Sequence, residues 1–168
     1  MPKFNFLVIA LAAIVPLIIG FIWYNPKVFG KAWMAANGFT EEKMKEGVNM
    51  PLIFGLTYVC SFFIAMILNF ITIHQWGVFS TLAGEPNFQD PSSAINIYFM
   101  DFMSKYGHTF RTFKHGAFHS FITGLLFVTP LITINALFER RSFKYIAIHA
   151  GYWIVCLSIM GGIVCQFS

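Results

Sequence analysis

Four apolar stretches, each long enough to cross a lipid bilayer, constrain this chain more than any other feature of its sequence. They cover residues 4–24, 51–73, 117–138 and 145–167. The first two contain no Asp, Glu, Lys, Arg or His, the third contains only His119, and the fourth contains only His149. A helix needs about 20 apolar residues to span the hydrocarbon core. The pattern predicts an all-α polytopic membrane protein, with four transmembrane helices in a bundle that forms a single domain over residues 1–168.

The composition disfavours the soluble classes of protein. Of the 168 residues, 57% are hydrophobic and 11% are charged, whereas a soluble domain carries about 25% charged residues. A compact soluble protein of this length could not bury so much apolar surface. The formal net charge of +4 comes from the connections between the apolar stretches, where anionic lipid headgroups are sufficient partners. We therefore expect the lipid bilayer as a partner, and no nucleic acid.

The basic residues are distributed unequally between the two sides of the predicted membrane domain. The connections over residues 25–50 and 139–144 carry seven Lys and Arg, and the other side carries four. Connections rich in Lys and Arg usually lie in the cytoplasm. This bias predicts that both chain termini, and the long connection over residues 74–116, are non-cytoplasmic.

The first connection has the pattern of two short interfacial helices. Residues 27–37 are amphipathic and end before a glycine, which favours a helix lying along the lipid headgroups. Thr40 is a good N-cap for a second helix over residues 41–46, and Phe39 and Met44 have the spacing of a hydrophobic staple.

The second connection is predicted to contain one amphipathic helix. Its middle, residues 84–91, is rich in turn-forming residues and should be an extended loop. Ser92 or Ser93 can cap a helix that continues to about Tyr106, in which apolar side chains recur every three or four residues. This helix should lie on the membrane surface or cap the bundle, although a lid or a docking surface is the functional alternative.

Several short motifs, distributed from the first span to the last, resemble those of a known family. They are Trp23-Tyr24-Asn25-Pro26, Phe29-Gly30-Lys31-Ala32-Trp33-Met34, Gly38-Phe39-Thr40-Glu41-Glu42, Leu137-Phe138-Glu139-Arg140-Arg141, Ala150-Gly151-Tyr152 and Met160-Gly161-Gly162. In combination they resemble the small bacterial membrane proteins grouped as domain of unknown function 1761. The resemblance implies a four-helix protein of the bacterial inner membrane, and it implies no activity and no catalytic residues.

Histidines near the start of the third span are candidates for a metal site. His115 and His119 are four residues apart, so they share a helix face, and His108 precedes them on the same side of the membrane. Two imidazoles can chelate a transition metal, but a stable site needs three or four ligands. The alternative is that these histidines are interfacial residues that hydrogen-bond to loop carbonyls, headgroups or water.

The two histidines inside the spans do not predict a haem site. In an antiparallel hairpin of the third and fourth spans, His119 and His149 differ in depth by roughly 20 Å. They therefore cannot hold one iron from opposite faces within one chain, and no cofactor is expected.

Polar side chains within the spans predict contacts between helices. The register of the same hairpin predicts a hydrogen bond between His149 and Asn135 and another between His119 and Gln166. Asn69, late in the second span, should also face the bundle interior. These pairs could fix the register of the helices, or alternatively line a polar path for protons or a small solute.

Small residues of the fourth span predict close contact with another helix, from the third span or from a second subunit. The candidates are Ala147, Gly151, Ser158, Gly161 and Gly162. Pro16 and Pro130 lie inside spans and predict kinks in the first and third helices.

The sequence contains no catalytic motif, so no enzyme activity is predicted. Three functions are compatible with the pattern. The first is a structural or accessory subunit, in a homo-oligomer or a larger membrane complex. The second is a small channel or carrier with a path lined by His119, His149, Asn69 and Asn135. The third is a membrane metal-binding or redox protein.

Overall fold

The computed structural model describes residues 2–40, 42–43, 47 and 49–168, and these residues form helices and no β-strand. Nine α-helices and one π-helical turn follow one another along the described chain. They are α1 (Phe6–Ala12), α2 (Val15–Trp23), α3 (Gly30–Asn37), α4 (Met50–Thr72), α5 (Gln75–Leu82), α6 (Ala94–Tyr106), α7 (Phe113–Thr123), the π-helical turn (Gly124–Val128), α8 (Thr129–Phe138) and α9 (Phe143–Phe167).

Four helical segments are long and apolar enough to cross a membrane, which confirms the predicted fold class. They are Phe6–Trp23, Met50–Thr72, Phe113–Phe138 and Phe143–Phe167. The third segment begins four residues before the predicted residue 117, because the Thr112 hydroxyl caps α7 by accepting from the His115 backbone N–H.

The fourth span, α9, is the central helix of the fold. In its most apolar window 56% of the residues are buried inside the protein, whereas in the other three spans the buried share is between 11% and 28%. Leu157, Met160 and Val164 of α9 form the apolar core together with residues of α1, α2 and α4. The remaining apolar surface of the outer spans is exposed, as expected for helices that face lipid.

Both prolines that predict kinks lie at interruptions of a span. Between α1 and α2 the helix is broken at residues 13–14, and Pro16 lies in the first turn of α2. The Tyr152 hydroxyl donates to the Pro16 carbonyl across the bundle at 2.8 Å. In the third span Pro130 is the second residue of α8, which follows the π-helical turn, and the Thr129 hydroxyl donates to the Gly124 carbonyl across that turn at 2.9 Å. Internal hydrogen bonds of this kind satisfy carbonyls near a helix interruption.

Two of the predicted packing glycines bring α9 against the third span of the same chain. A Cβ atom on Gly161 would lie 1.7 Å from the Ser120 hydroxyl, and one on Gly162 would lie 2.5 Å from the Phe113 ring. A Cβ on Gly116 of α7 would in turn lie 2.1 Å from the Gly161 carbonyl oxygen. The backbones of α7 and α9 therefore lie closer together than they could if these positions carried side chains.

The other small residues of α9 have different environments. Gly151 contacts Trp23, whose ring would lie 3.1 Å from a Cβ atom at that position. Ser158 donates to the Ile154 carbonyl of its own helix, and Ala147 is exposed. The sequence left open which helix these small residues contact. In the structure Gly161 and Gly162 pack against the third span, and Gly151 packs against the first.

The connections agree with the sequence in part. In the first connection α3 begins at Gly30, later than predicted, and Gly38 ends it with a positive φ of 70°. Of the predicted helix over residues 41–46, residues 41 and 44–46 lie outside the described residues, and so does the Phe39–Met44 contact. The Thr40 hydroxyl accepts from the Lys43 backbone N–H at 3.3 Å. In the second connection Ser93 caps α6 as predicted, but the helix α5 was not predicted.

Candidate metal centre

Three histidines lie together at the end of the bundle where α4 ends and α7 begins. His74 directly follows the buried Ile73, at the junction between α4 and α5. His115 and His119 are one helical turn apart on α7, so their side chains share a face. The antiparallel course of α4 and α7 brings residues that are far apart in sequence to one end of the bundle.

The three imidazole rings are close enough to share one ion. One ring nitrogen from each of His74, His115 and His119 lies within 4.8 Å of the others. The Nε2 atoms of His74 and His115 are 3.0 Å apart. The ring centroids of His115 and His119 are 4.4 Å apart, and those of His74 and His119 are 5.0 Å apart.

This separation agrees with the geometry of a metal site. Two imidazoles on a tetrahedral zinc ion, with Zn–N bonds of about 2.0–2.1 Å, have nitrogens roughly 3.3 Å apart. When no ion is bound, one of the two Nε2 atoms must carry a proton and donate it to the other. Three nitrogen ligands would leave a fourth coordination position open for water or another ligand.

The backbone around His74 is attached to the loop that precedes α7. The Gln75 side-chain amide donates to the Tyr106 carbonyl at 2.8 Å and to the Thr109 carbonyl at 3.1 Å. Gln75 is only 5% exposed. These two bonds fix the corner that carries His74 relative to the segment that leads to His115.

Phe110 supports His115 from the same loop. Its ring stacks on the imidazole with a centroid separation of 5.1 Å and an interplanar angle of 20°. The Phe110 backbone has a positive φ of 61°, which is rare for a bulky side chain. Because this backbone conformation is unfavourable for phenylalanine on its own, contacts with neighbouring residues must stabilise the turn that places the ring on His115.

The nearby cation, Arg111, is directed to the end of the central helix. Its Nε donates to the Cys165 carbonyl at 2.9 Å, where the helix dipole favours positive charge. Burial lowers the pKa of Arg111, and the bond to the helix end compensates part of that desolvation.

The three candidate metal residues from the sequence do not all meet. His115 and His119 belong to the cluster, whereas His108 is exposed in the loop after α6. Among the residues that the structure describes, the third histidine of the cluster is instead His74. Sequence reasoning missed it, although the end of the second span and the start of the third necessarily lie on one side of the membrane.

Asn69 is fully buried in α4, in agreement with an inward-facing side chain. Its side-chain amide donates to the Ala65 and Met66 carbonyls of its own helix, both at 3.2 Å. It therefore makes these bonds within α4, and does not bridge to another helix through them.

The predicted pair of His119 and Gln166 is wrong. The Gln166 side-chain oxygen accepts from the Phe113 backbone N–H at 3.0 Å, while His119 lies against His74 and His115. A π-helical turn contains more residues per turn than an α-helix. The pairing of residues at equal depth that holds near the loop between the third and fourth spans is therefore shifted at the other end of this hairpin.

The predicted hydrogen bond between His149 and Asn135 is replaced by a shared cavity. The two side chains line a space of about 160 Å³ together with Glu139 and Tyr145. The Nδ1 atom of His149 is instead 3.4 Å from the Tyr24 hydroxyl. The Tyr24 hydroxyl can donate its proton to this nitrogen.

Four apolar spans and a histidine cluster at one end of them define a polytopic, all-helical membrane protein. The chain belongs to the family described as Protein of unknown function (DUF1761), whose model matches residues 7–165. The search of curated proteins gives no match. The search of solved structures also gives no match.

Proposed function

We propose that this chain is a membrane protein that binds a divalent transition-metal ion through His74, His115 and His119. The observation that carries the proposal is the approach of three imidazole nitrogens to within 4.8 Å of one another. All three residues are partly or fully exposed, so an ion could reach them without the helices separating. A three-nitrogen site with an open position is typical of metals that exchange or act on a ligand.

The donor set favours particular metals. Imidazole suits Zn²⁺, Cu²⁺ and Ni²⁺, whereas Mg²⁺ and Ca²⁺ prefer carboxylate and carbonyl oxygens, and Cu⁺ prefers sulfur. The cluster found among the described residues consists of imidazoles alone. We therefore expect Zn²⁺ and Cu²⁺ to bind most tightly.

The accessory-subunit alternative stays a prediction with less support. One of its arguments is the set of small residues on the fourth span. Gly161 and Gly162 pack against α7, and Gly151 packs against Trp23, all within one chain. The mass of the purified protein in detergent would reveal an oligomer that uses other surfaces.

The channel alternative also stays a prediction. His119 and His149 lie near opposite ends of the bundle, and the part of α9 between them is lined by Cys156, Leu157 and Met160, which are buried. A channel that passes this apolar layer of α9 would therefore meet no polar side chain at positions 156, 157 and 160. Solute flux into liposomes that changes with His149→Ala would support a path despite this layer.

Metal titration tests the proposal directly. The full chain is purified in detergent with a tag that contains no histidine, stripped with a chelator and titrated with Zn²⁺ by calorimetry. We expect one ion per chain, and a loss of at least about ten-fold in affinity for His74→Ala and for His119→Ala. His108→Ala is the matched control, because it removes an exposed imidazole outside the cluster.

Equal Zn²⁺ affinity of the wild type and His74→Ala would overturn the proposal. So would sub-stoichiometric binding by a wild-type protein whose helix content is intact. Co²⁺ absorption adds a second readout, since four-coordinate Co²⁺ has strong visible bands that six-coordinate Co²⁺ in water lacks.

A further inference from the structure

A cavity of about 300 Å³ lies beside the histidine cluster, between the two helices of the second connection. Its walls come from α5, α6 and the loop after α6, and they include Val78, Phe102, Tyr106 and Phe110. Within the part of the chain that the structure describes, no Asp, Glu, Lys or Arg contributes to the wall. The volume is at the lower end of the range for small-molecule sites, and such sites are mostly apolar.

The cavity is local, because the same two helices pack tightly at their other end. There Phe79, Phe88 and Phe99 form an aromatic cluster, with ring centroids 5.2 to 6.0 Å apart. Phe99 is fully buried and Phe88 is 2% exposed. The helix pair is therefore closed where the three phenylalanines meet, and it leaves the cavity at the end that carries Val78 and Phe102.

One polar side chain with an unmet hydrogen bond borders this apolar space. Gln75 lines the cavity, and its Nε2 group is fully used by the Tyr106 and Thr109 carbonyls. Its Oε1 atom is buried and has no hydrogen-bond partner among the described residues. A buried acceptor without a donor is unfavourable, so a donor on a bound molecule would be stabilised there.

We propose that this cavity binds an apolar molecule that carries one hydroxyl group, of which a phenol is the simplest representative. The aromatic walls contact the apolar body, and the hydroxyl group donates to Gln75 Oε1. Because this atom is shielded in the empty cavity, a neighbouring wall side chain must move aside when the molecule binds. A charged organic ligand is disfavoured because, among the described residues, no Asp, Glu, Lys or Arg side chain of the wall would pair with its charge. This binding goes beyond the proposed metal function and does not depend on it, although His74 belongs to both the cavity wall and the histidine cluster.

The test compares two matched probes on the full chain in detergent, with a chelator present so that metal plays no part. The probes are 4-tert-butylphenol and 4-tert-butylanisole, which share an apolar body but differ in the hydroxyl donor. Calorimetric titrations are corrected with protein-free micelles. We expect the phenol to bind at least about ten-fold more tightly than the anisole, as one buried hydrogen bond supplies.

Two variants locate the binding. Val78→Phe fills the cavity and should abolish phenol binding, whereas Val59→Phe adds the same ring at an exposed position of α4 and should leave it unchanged. Gln75→Met removes the acceptor and should reduce phenol binding to the level of the anisole.

Equal binding of the two probes by the wild type would overturn the proposal, as would unchanged phenol binding by Val78→Phe. If Gln75→Met does not fold, these two comparisons still decide the result. Phenol titration of His119→Ala separates the two proposals, because His119 belongs to the histidine cluster but not to the cavity wall, so its loss should leave phenol binding unchanged.

Discussion

The Nε2 atoms of His74 and His115 lie 3.0 Å apart, although 41 positions separate the two residues in the chain. The contact arises because α4 ends where α7 begins, at one end of the bundle. Without an ion the two rings share one proton in a hydrogen bond. An ion would replace that proton and join the second span to the third, so that metal binding and the stability of this end of the bundle become linked.

Zn²⁺ should therefore stabilise the folded protein. At a free concentration one hundred times its Kd, an ion that binds only the folded state adds about 2.7 kcal/mol to the free energy of unfolding. We expect the unfolding temperature in detergent to rise with Zn²⁺ for the wild type and for His108→Ala. For His119→Ala it should not rise, and a rise equal to that of the wild type would assign the effect to another site.

Because α7 and α9 are in close contact, adding one methyl group at their interface should lower the free energy of unfolding. A Cβ on Gly116 would lie 2.1 Å from the Gly161 carbonyl, which is backbone and cannot rotate away. Gly116→Ala should lower the free energy of unfolding by about 1–3 kcal/mol, as overpacking usually does.

Gly55→Ala is the matched control for this substitution. Gly55 also lies inside a span, but no atom lies within 4 Å of its added Cβ. Its unfolding in detergent should match the wild type or be slightly more resistant, since alanine favours helix. If both alanine variants behave alike, the backbone contact between α7 and α9 is looser than described.

The hydroxyl group of Tyr152 should contribute to the contact between the first and fourth spans. It donates to the Pro16 carbonyl at 2.8 Å in a buried environment. Interhelical hydrogen bonds in membrane proteins contribute about 0.6–2 kcal/mol, so Tyr152→Phe should destabilise by an amount in this range. Tyr98→Phe, at a side chain that is 61% exposed, should unfold like the wild type; a similar loss for both would exclude a specific bond.

The four spans could be predicted from the sequence, whereas the contacts between them could not. Spans depend on length and apolar content, which any window of residues 51–73 displays. Pairings such as His119 with Gln166 depend on helix register. Pro130 predicts a kink in the third span, but not the π-helical turn Gly124–Val128 that shifts this register. His74 was missed for a related reason, since it lies just outside a span, in a connection whose first helix was not predicted.

The turn before α6 should respond to acid through Asp90. Its carboxylate accepts from the Ser92 backbone N–H at 2.9 Å and from the Ser92 hydroxyl at 2.7 Å. These bonds, the backbone one foremost, lower the pKa of Asp90. A lowered pKa means that the ionised carboxylate stabilises the turn above the ordinary carboxyl pKa of about 3.9, and that this contribution is lost as the pH falls through the lowered value.

Ser92→Ala tests this dependence, because it removes the hydroxyl and keeps the backbone N–H. In a carbon-detected NMR titration the pKa of Asp90 should move part of the way back to its ordinary value. Ser104→Ala removes a hydroxyl that donates to the Asp101 backbone carbonyl, so the Asp90 titration should not change. An unchanged pKa in Ser92→Ala would show that the hydroxyl does not stabilise the carboxylate.

His149 should be coupled to Tyr24 and not to Asn135. Its Nδ1 atom is 3.4 Å from the Tyr24 hydroxyl, a long but direct hydrogen bond, whereas Asn135 faces it across a cavity of about 160 Å³. Double-mutant cycles on unfolding in detergent measure both interactions. With His149→Ala combined with Tyr24→Phe we expect a coupling energy of about 0.5 kcal/mol, near the average for such bonds in membranes.

With His149→Ala combined with Asn135→Ala we expect the two effects to add, because water in the cavity can satisfy each side chain separately. The reverse order of coupling would mean that the cavity closes and that the pairing predicted from the sequence forms in the membrane.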